Sequence, residues 1–319
     1  MNNFGITVKS LREKRGFQIK EVYSGVIGRT TAFRFEKGET NISTQKLLKV
    51  LYNMGIYSMD EFLFFYEQGK DNVFNNDLDK HLTHIMQEEE RNIKSKKHVR
   101  VFDFYKKYEN SKKKEEKFLA YAAHFDYLIN QNENIGKKLR LTGVLKEFQL
   151  QWDYIERYLL DIETWSFREL DWFPFLSGCF HEEARPLLLA RFKKNFKELK
   201  GYYEHWEKHY SNNLINYLMN SVYMGYYGEL EEDMKEVDYC YQMYPELRWE
   251  LSQRCRVLYI KVIIAGLKQN IDQIKKNYLE LTEIEKIMGK DNELMEFYLE
   301  DSLKKIQVIL PKLNINSVI

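Results

Sequence analysis

Arg29, Thr30 and Arg34 lie close together near the start of the chain, and their side chains are suited to contacts with base edges. A guanidinium group can donate two hydrogen bonds to O6 and N7 of one guanine, and a threonine can meet a thymine methyl group or a phosphate. Arg34 follows Thr30 by four residues, about one turn of a helix. The three side chains could therefore contact the major groove of DNA together if a helix presents them.

The elements that would position these residues are short helices. Apolar residues recur at helical spacing in five segments of residues 1–66, and polar stretches or glycines such as Gly16 and Gly38 separate them. Ser43 has the residue type of an N-cap for the fourth segment. Five short helices with a tight turn between the second and third are the layout of a helix-turn-helix DNA-binding domain. Residues 16–36 resemble the repressor and Cro-like class of that motif.

This resemblance makes the third segment the recognition helix, with Arg29, Thr30 and Arg34 exposed to the major groove. The second-segment position that commonly holds a phosphate-binding Gln is Ile19 here, and Phe33 stands where a small polar residue is frequent. We therefore expect phosphate contacts from other polar residues, namely Lys9, Lys37, Thr40 and Asn41. The alternative is that these charges are ordinary solvated side chains.

The same resemblance implies a different role for Arg12 and Glu36. In that class the matching arginine of the first helix and glutamate at the end of the recognition helix form a partly buried ion pair. We therefore expect Arg12 to support the fold rather than to contact DNA. Loss of one partner would leave a desolvated charge unpaired, so Arg12→Ala should lower thermal stability.

A more specific resemblance covers essentially the whole chain, strongly over residues 5–66 and weakly after residue 200. It is to the Rgg/GadR/MutR regulators, and it rests on Phe35-Glu36-x-Gly38, Ile42-Ser43-x-x-Lys46-Leu47-Leu48, Gly55-Ile56-x-x-x-x-Glu61-Phe62 and a mid-chain stretch from Tyr154 to Leu170. It implies a homodimeric cytoplasmic transcription regulator whose repeat domain commonly senses a short peptide pheromone. Some members respond to other cues, so the ligand stays open.

The chain changes character after a polar stretch at residues 67–76, which we interpret as a linker. Longer helical segments follow, and their pairs start about 36 residues apart, close to the roughly 34 of tetratricopeptide repeats. The clearest pairs are residues 212–227 with 229–243 and 248–267 with 270–288. Such pairs must stack to bury their apolar faces. The sequence thus predicts an all-α protein, with a helix-turn-helix domain over residues 1–66 and a tetratricopeptide-like α-solenoid for regulation and dimerisation over residues 77–319.

One polar stripe could line the concave surface of this solenoid. If residues 212–227 form one helix, five side chains fall within an arc of about 80°. They are Asn213, Asn216, Asn220, Tyr223 and Tyr227. An asparagine can satisfy both the donor and the acceptor of an extended peptide backbone. The stripe is therefore a candidate peptide-binding surface, and the alternative is a plain solvated helix face.

Trp152 and Arg157 form a second candidate for peptide contact. The indole could serve as an aromatic platform and the guanidinium could clamp a carboxylate. The spacing of Trp152 with Ile155 and Leu159 is equally typical of a simple apolar core.

Composition and motifs exclude several other classes. A hydrophobic content of 44% excludes wholesale disorder, and no apolar run approaches the roughly 18 residues of a membrane span. The cysteines Cys179, Cys240 and Cys255 have no CxxC spacing, so neither a disulfide framework nor a zinc site is indicated. No phosphate-binding glycine motif or nucleophile arrangement stands out. We expect a cytoplasmic protein without a membrane segment, cofactor, metal or enzymatic activity.

Charge is divided along the chain in a way that fits these assignments. Residues 1–66 hold 10 Lys and Arg against 6 Asp and Glu, a net +4, whereas the remaining 39 against 42 give −3. The sequence predicts a regulator that binds double-stranded DNA at a pseudo-palindromic promoter site as a homodimer and senses a ligand, foremost a short signalling peptide. The alternatives are the same regulator answering to a non-peptide cue or none, and a helical-repeat scaffold for protein interactions.

Overall fold

A computed structural model describes most of the chain, in the ranges 4–67, 78–91, 99–131, 137–201, 206–228, 230–244, 250–288 and 293–314. Within these ranges the protein is helical and contains no strand, which confirms the predicted all-α fold. The chain divides into two compact units, residues 1–81 and 82–319. The predicted linker at 67–76 lies outside the described residues except for its first position.

Five short helices build the first unit, at the places where the sequence predicts them. They are α1 (Phe4–Lys14), α2 (Ile19–Tyr23), α3 (Arg29–Glu36), α4 (Thr44–Asn53) and α5 (Met59–Glu67). Their apolar faces meet in one core that includes Val8, Val22, Ala32, Val50 and Phe62, each fully buried. Since none of these helices is long enough to be stable alone, this shared core holds α3 in place.

A backbone contact between α1 and α3 fixes the position of the proposed recognition helix. A Cβ atom added to Gly5 of α1 would lie 1.8 Å from the carbonyl oxygen of Phe35 in α3. No side chain fits there, so only glycine lets the two helices approach this closely. After α3 the chain turns at Gly38, whose φ of 76° lies in the left-handed region that favours glycine.

Longer helices build the second unit. They are α6 (Leu78–Arg91), which spans the division between the units, then α7 (Val99–Tyr108), α8 (Lys114–Gln131), α9 (Lys137–Asp161), α10 (Phe167–Leu176), α11 (Ala184–Glu198), α12 (Trp206–Met224), α13 (Leu230–Met243), α14 (Leu251–Leu267), α15 (Ile271–Met288) and α16 (Glu293–Ile309). A single 3₁₀ turn at Ser177–Cys179 follows α10.

Neighbouring helices pair, and alternate helices pack side by side. α12 packs on α13 and α14 on α15, while α10, α12, α14 and α16 contact one another in that order. These are the two predicted helix pairs and the stacking of a solenoid, in which every second helix contributes to the same layer. The predicted stripe lies on α12, between α10 and α14.

The predicted end of the helix over residues 212–227, which corresponds to α12, is wrong. α12 stops at Met224, where Gly225 adopts a φ of 81° and the amide of Tyr226 donates to the carbonyl of Ser221 at 2.8 Å. This left-handed glycine and the backward hydrogen bond are a common way to end a helix. Tyr227 therefore lies outside α12 and does not continue the stripe.

Candidate nucleic-acid interface and ligand cleft

α3 separates its structural from its exposed side chains as an amphipathic helix should. Ala32 and Phe35 are 0% and 1% exposed and face the core of the first unit. Arg29, Thr30 and Arg34 are all exposed. The structure therefore brings the three predicted base-contacting residues to the solvent side of one helix.

Local interactions restrain the two arginines without burying them. The guanidinium of Arg29 lies 5.6 Å from the centre of the Phe33 ring, within range of a cation–π contact. Nε of Arg34 lies 3.7 Å from a carboxylate oxygen of Glu39. Lys37 also approaches that carboxylate, at 3.9 Å. Glu39, which the sequence analysis did not single out, thus partly neutralises this surface.

The remaining predicted phosphate contacts are solvent-accessible. Lys9 and Asn41 are exposed, and Thr40 is half-buried with its hydroxyl 3.4 Å from the carbonyl oxygen of Asn41. A cleft of about 580 Å³ beside the start of α3 adds further polar side chains. Its lining includes Gln18, Lys20 and Arg29. Lys20 is a basic residue next to the start of α3 that the sequence analysis did not identify.

Arg12 and Glu36 form a bidentate pair inside the first unit. Nε of Arg12 lies 2.7 Å from one carboxylate oxygen of Glu36 and Nη2 lies 2.8 Å from the other. Nη1 of Arg12 donates to the carbonyl of Phe17 at 3.0 Å. Arg12 is only 8% exposed and Glu36 only 4%. The hydrogen bonds to Glu36 raise the pKa of Arg12. Burial and the same carboxylate raise the pKa of the neighbouring Tyr23 phenol.

On α12, the polar stripe faces neighbouring helices rather than open solvent. Asn213 donates to the Asp171 carboxylate at 3.4 Å. Asn216 accepts from Arg256 of α14 at 2.6 Å. Asn220 donates to the carbonyl of Pro174 at 2.6 Å, at the end of α10. The interpretation as a plain solvated face is therefore wrong, and part of the hydrogen-bonding capacity of the stripe holds the solenoid together.

A cleft of about 340 Å³ opens beside this stripe. Its lining is an amide, phenol, arginine and carboxylate surface with apolar side chains between them, contributed by Asp171, Phe175, Asn216, Met219, Asn220, Tyr223, Arg256 and Tyr298. Burial raises the pKa of the Tyr223 phenol, so it stays a neutral hydrogen-bonding group. The cleft combines apolar surface with donors and acceptors, as ligand pockets do.

Two other candidate residues do not belong to this cleft. Trp152 is 1% exposed and packs 5.2 Å from the Phe125 ring and 5.6 Å from the Phe180 ring, measured between centroids. It is a core residue and cannot serve as a ligand platform. Arg157 is exposed on α9 but does not line the cleft beside α12.

No metal-binding group of three His, Cys, Asp or Glu side chains occurs among the described residues. Cys240 and Cys255 are buried free thiols, and burial raises the pKa of each to about 11. The side chain of Cys179 lies outside the described part of the chain. None of the described helices is long and apolar enough to cross a lipid bilayer.

Several solved structures share the fold of this chain. A protein of Listeria monocytogenes EGD-e assigned as a transcriptional regulator superposes with a TM-score of 0.65 at 16% identity, covering 97% of this chain and 98% of that one. The SHP pheromone receptor Rgg2 of Streptococcus dysgalactiae gives 0.60 at 18% identity, covering 95% and 100%. The chain shares its fold with this receptor. PrgX in complex with cCF10 gives 0.57 at 17% identity, covering 97% and 94%. Neither a family model nor a curated protein sequence matches the chain.

Proposed function

We propose that this protein is a cytoplasmic transcription regulator that binds DNA through α3 and senses a ligand through its solenoid. The observation that carries the proposal is the division of α3, whose buried face is fixed to α1 while Arg29, Thr30 and Arg34 remain exposed. A rigidly held helix with exposed arginines at its start and one turn later suits base contact in the major groove.

A homodimer on a two-fold symmetric site is part of this proposal. One copy of α3 is short and presents few base-contacting side chains, so two copies about 34 Å apart would double the contacts to DNA. Closed two-fold symmetry is the commonest arrangement of soluble oligomers. An enzymatic activity, a metal and a cofactor have no part in it.

DNA binding can be tested with sites selected from genomic fragments by the full-length protein. We expect Arg29→Ala with Arg34→Ala to weaken binding to a selected site by about 100-fold, because each bidentate guanine contact is worth about 1–3 kcal/mol. Fluorescence anisotropy across a salt series measures this effect. Lys49→Ala removes an exposed charge of α4 and serves as the matched control.

Two outcomes of that experiment would contradict a DNA-binding role. If the double variant bound the selected site as tightly as the wild type, α3 would not be the recognition helix. If no genomic fragment were enriched, the result would favour the alternative that the protein is a scaffold whose solenoid binds other proteins.

The proposed ligand is a short peptide in the cleft beside α12. Rgg2 is described as a pheromone receptor and PrgX is solved with cCF10, and this chain shares their fold. The cleft lining offers Asn216, Tyr223 and Arg256 as hydrogen-bonding groups next to apolar side chains. A non-peptide ligand is the alternative, because amides and phenols also bind other polar molecules.

Peptide binding can be tested by affinity selection from a library of apolar heptapeptides. We expect Asn216→Ala with Tyr223→Ala to weaken a selected peptide by about tenfold or more. Tyr239→Ala is the matched control, since Tyr239 is 57% exposed on α13 and does not line the cleft. Undiminished affinity in the double variant would remove the cleft from the proposal.

A further inference from the structure

Besides the cleft beside α12, the second unit has a cavity of about 250 Å³ where the chain turns from α12 into α13. Side chains of α11, α12 and the turn line it, among them Arg185, Tyr217, Ser221 and Tyr226. No functional residue predicted from the sequence lies here except Tyr227, which the turn brings to this cavity instead of the stripe. The cavity is therefore a separate site.

Arg185 is the one cationic side chain among the described residues that line this cavity. The residue is 5% exposed, and its guanidinium lies 4.3 Å from the centre of the Tyr226 ring and 5.3 Å from that of Tyr217. Stacking on two aromatic rings fixes the plane of the guanidinium. Its donors therefore have fixed directions.

The described hydrogen-bond partners of this guanidinium are neutral. Nη1 donates to the carbonyl of Ser177, and Nη2 donates to the hydroxyl of Ser221 at 2.6 Å. A guanidinium has five N–H groups, so these two bonds leave donors unused. A positive charge with only neutral partners is costly to bury, because the cost of desolvation is not offset by an opposite charge.

The described acids that line the cavity do not supply this opposite charge. Asp233 pairs with Lys193 at 2.5 Å. Glu182 is exposed, and no ion pair joins it to Arg185 among the described residues. The site thus combines a buried, oriented cation with an open space next to it.

We propose that this cavity binds a carboxylate held by Arg185, and that the source of this carboxylate is either the C-terminal end of a peptide or a free small acid. A guanidinium fork matches the two oxygens of a carboxylate, and such charge-assisted bonds are among the strongest in proteins. The cavity is smaller than the roughly 300–1,000 Å³ of sites that enclose whole ligands, so it suits one end of a peptide. The peptide source depends on the proposed function, whereas a free small acid offers the same chemistry without it.

The test uses the full-length protein and three kinds of probe: a library of apolar heptapeptides with free carboxyl ends, the same library with amidated ends, and the small acids acetate, lactate and citrate. Affinity selection finds the tightest free-acid peptide, and calorimetry measures its affinity. We expect amidation of that peptide to weaken its binding at least about tenfold. Arg185→Gln should weaken binding of the free-acid peptide by the same factor and leave binding of the amidated peptide unchanged.

Two further variants keep the test informative if Arg185→Gln fails to fold. Arg185→Lys retains the charge without the fork, and we expect most of the preference for the free acid to disappear. Glu182→Gln removes an exposed negative charge from the cavity lining and should increase the affinity for the free-acid peptide by about two- to threefold. Arg157→Gln removes the other candidate carboxylate clamp, and Lys194→Gln, at an exposed lysine of α11 outside the cavity, is the matched control that should change neither affinity.

Several outcomes would overturn the inference. They are equal affinity of the free and amidated peptides for the wild type together with no binding of the small acids, a preference that survives Arg185→Gln, and a preference lost in Arg157→Gln instead. Stabilisation by the small acids alone, dependent on Arg185, would support the carboxylate site but reject the peptide as its source. Each variant is also tested for DNA binding, so that failure of this site is distinguishable from failure of the proposed regulator.

Discussion

Each unit of the protein buries an arginine, and the two arginines are compensated in opposite ways. Arg12 is 8% exposed and makes a bidentate pair with Glu36. Arg185 is 5% exposed, lies within cation–π distance of two tyrosine rings and donates to a carbonyl and a hydroxyl. A completed ion pair fixes two helices, whereas a buried cation beside a cavity favours an incoming anion. The comparison separates the structural use of a buried arginine in the first unit from the ligand-binding use proposed for Arg185 in the second.

The largest expected effect is that of Arg12→Ala. It leaves the Glu36 carboxylate buried without its partner, and breaking such a pair costs about 3–5 kcal/mol. Urea unfolding of the full chain, followed in the transition of the first unit, measures the loss. Replacing both residues by methionine should recover most of it. Unchanged stability together with weakened DNA binding would assign Arg12 to the DNA interface.

Gly5→Ala tests the backbone contact that brings the ion pair together. The added methyl group would meet the Phe35 carbonyl at 1.8 Å, so α1 and α3 must separate. Overpacking of this kind costs about 1–3 kcal/mol. Gly28→Ala is the comparison, since nothing lies within 4 Å of its added Cβ. Similar melting temperatures for the two variants would show that the close approach is not needed for stability.

Arg185→Met should cost less than Arg12→Ala, about 2 kcal/mol or below, because it removes a buried charge without leaving a carboxylate unpaired. The lost hydrogen bonds to Ser177 and Ser221 account for the expected cost. The same unfolding experiment compares the two variants in protein freed of ligand. A loss as large as that for Arg12→Ala would mean that Arg185 has an internal counterion, and the contrast between the two arginines would disappear.

The smallest expected effect is that of Asn220→Ala, about 1 kcal/mol. Asn220 donates to the Pro174 carbonyl at the end of α10, and one net hydrogen bond of this type has that worth. Thermal unfolding checks the value, with Asn213→Ala as the control because its 3.4 Å bond to Asp171 is longer and more exposed. If the midpoint of thermal unfolding were unaltered in Asn220→Ala, the side chain would not be needed for stability and would be available to contact a ligand.

The sequence alone was sufficient for the local structure of the first unit. Apolar spacing and glycine breaks predicted all five helices, and the resemblance to the Cro-like class indicated which side chains of α3 are exposed. Those signals are local, because a helix of eight residues carries its whole buried face within its own sequence. The domain limits at residues 66 and 77 and the individual contacts to DNA and ligand stay predictions.

The second unit exposes what local patterns cannot predict. Tyr227 was placed on the stripe because the spacing continues through Gly225, and only the left-handed backbone there shows that the helix has ended. Arg185 carries no motif, and its environment comes from Ser177 and Ser221 on other elements. Trp152 could be core or platform by spacing, and packing against Phe125 and Phe180 decides for core.

The contact at Gly5 also bears on how the specificity of such a protein can change. The position of α3 is fixed by the close approach of Gly5 to the Phe35 carbonyl and by the buried face around Phe35. Neither contact involves Arg29, Thr30 or Arg34. The residues that would select a promoter are thus independent of those that hold the helix. Under the proposed function, exchange of these three side chains would retarget the protein to another operator and leave its fold intact.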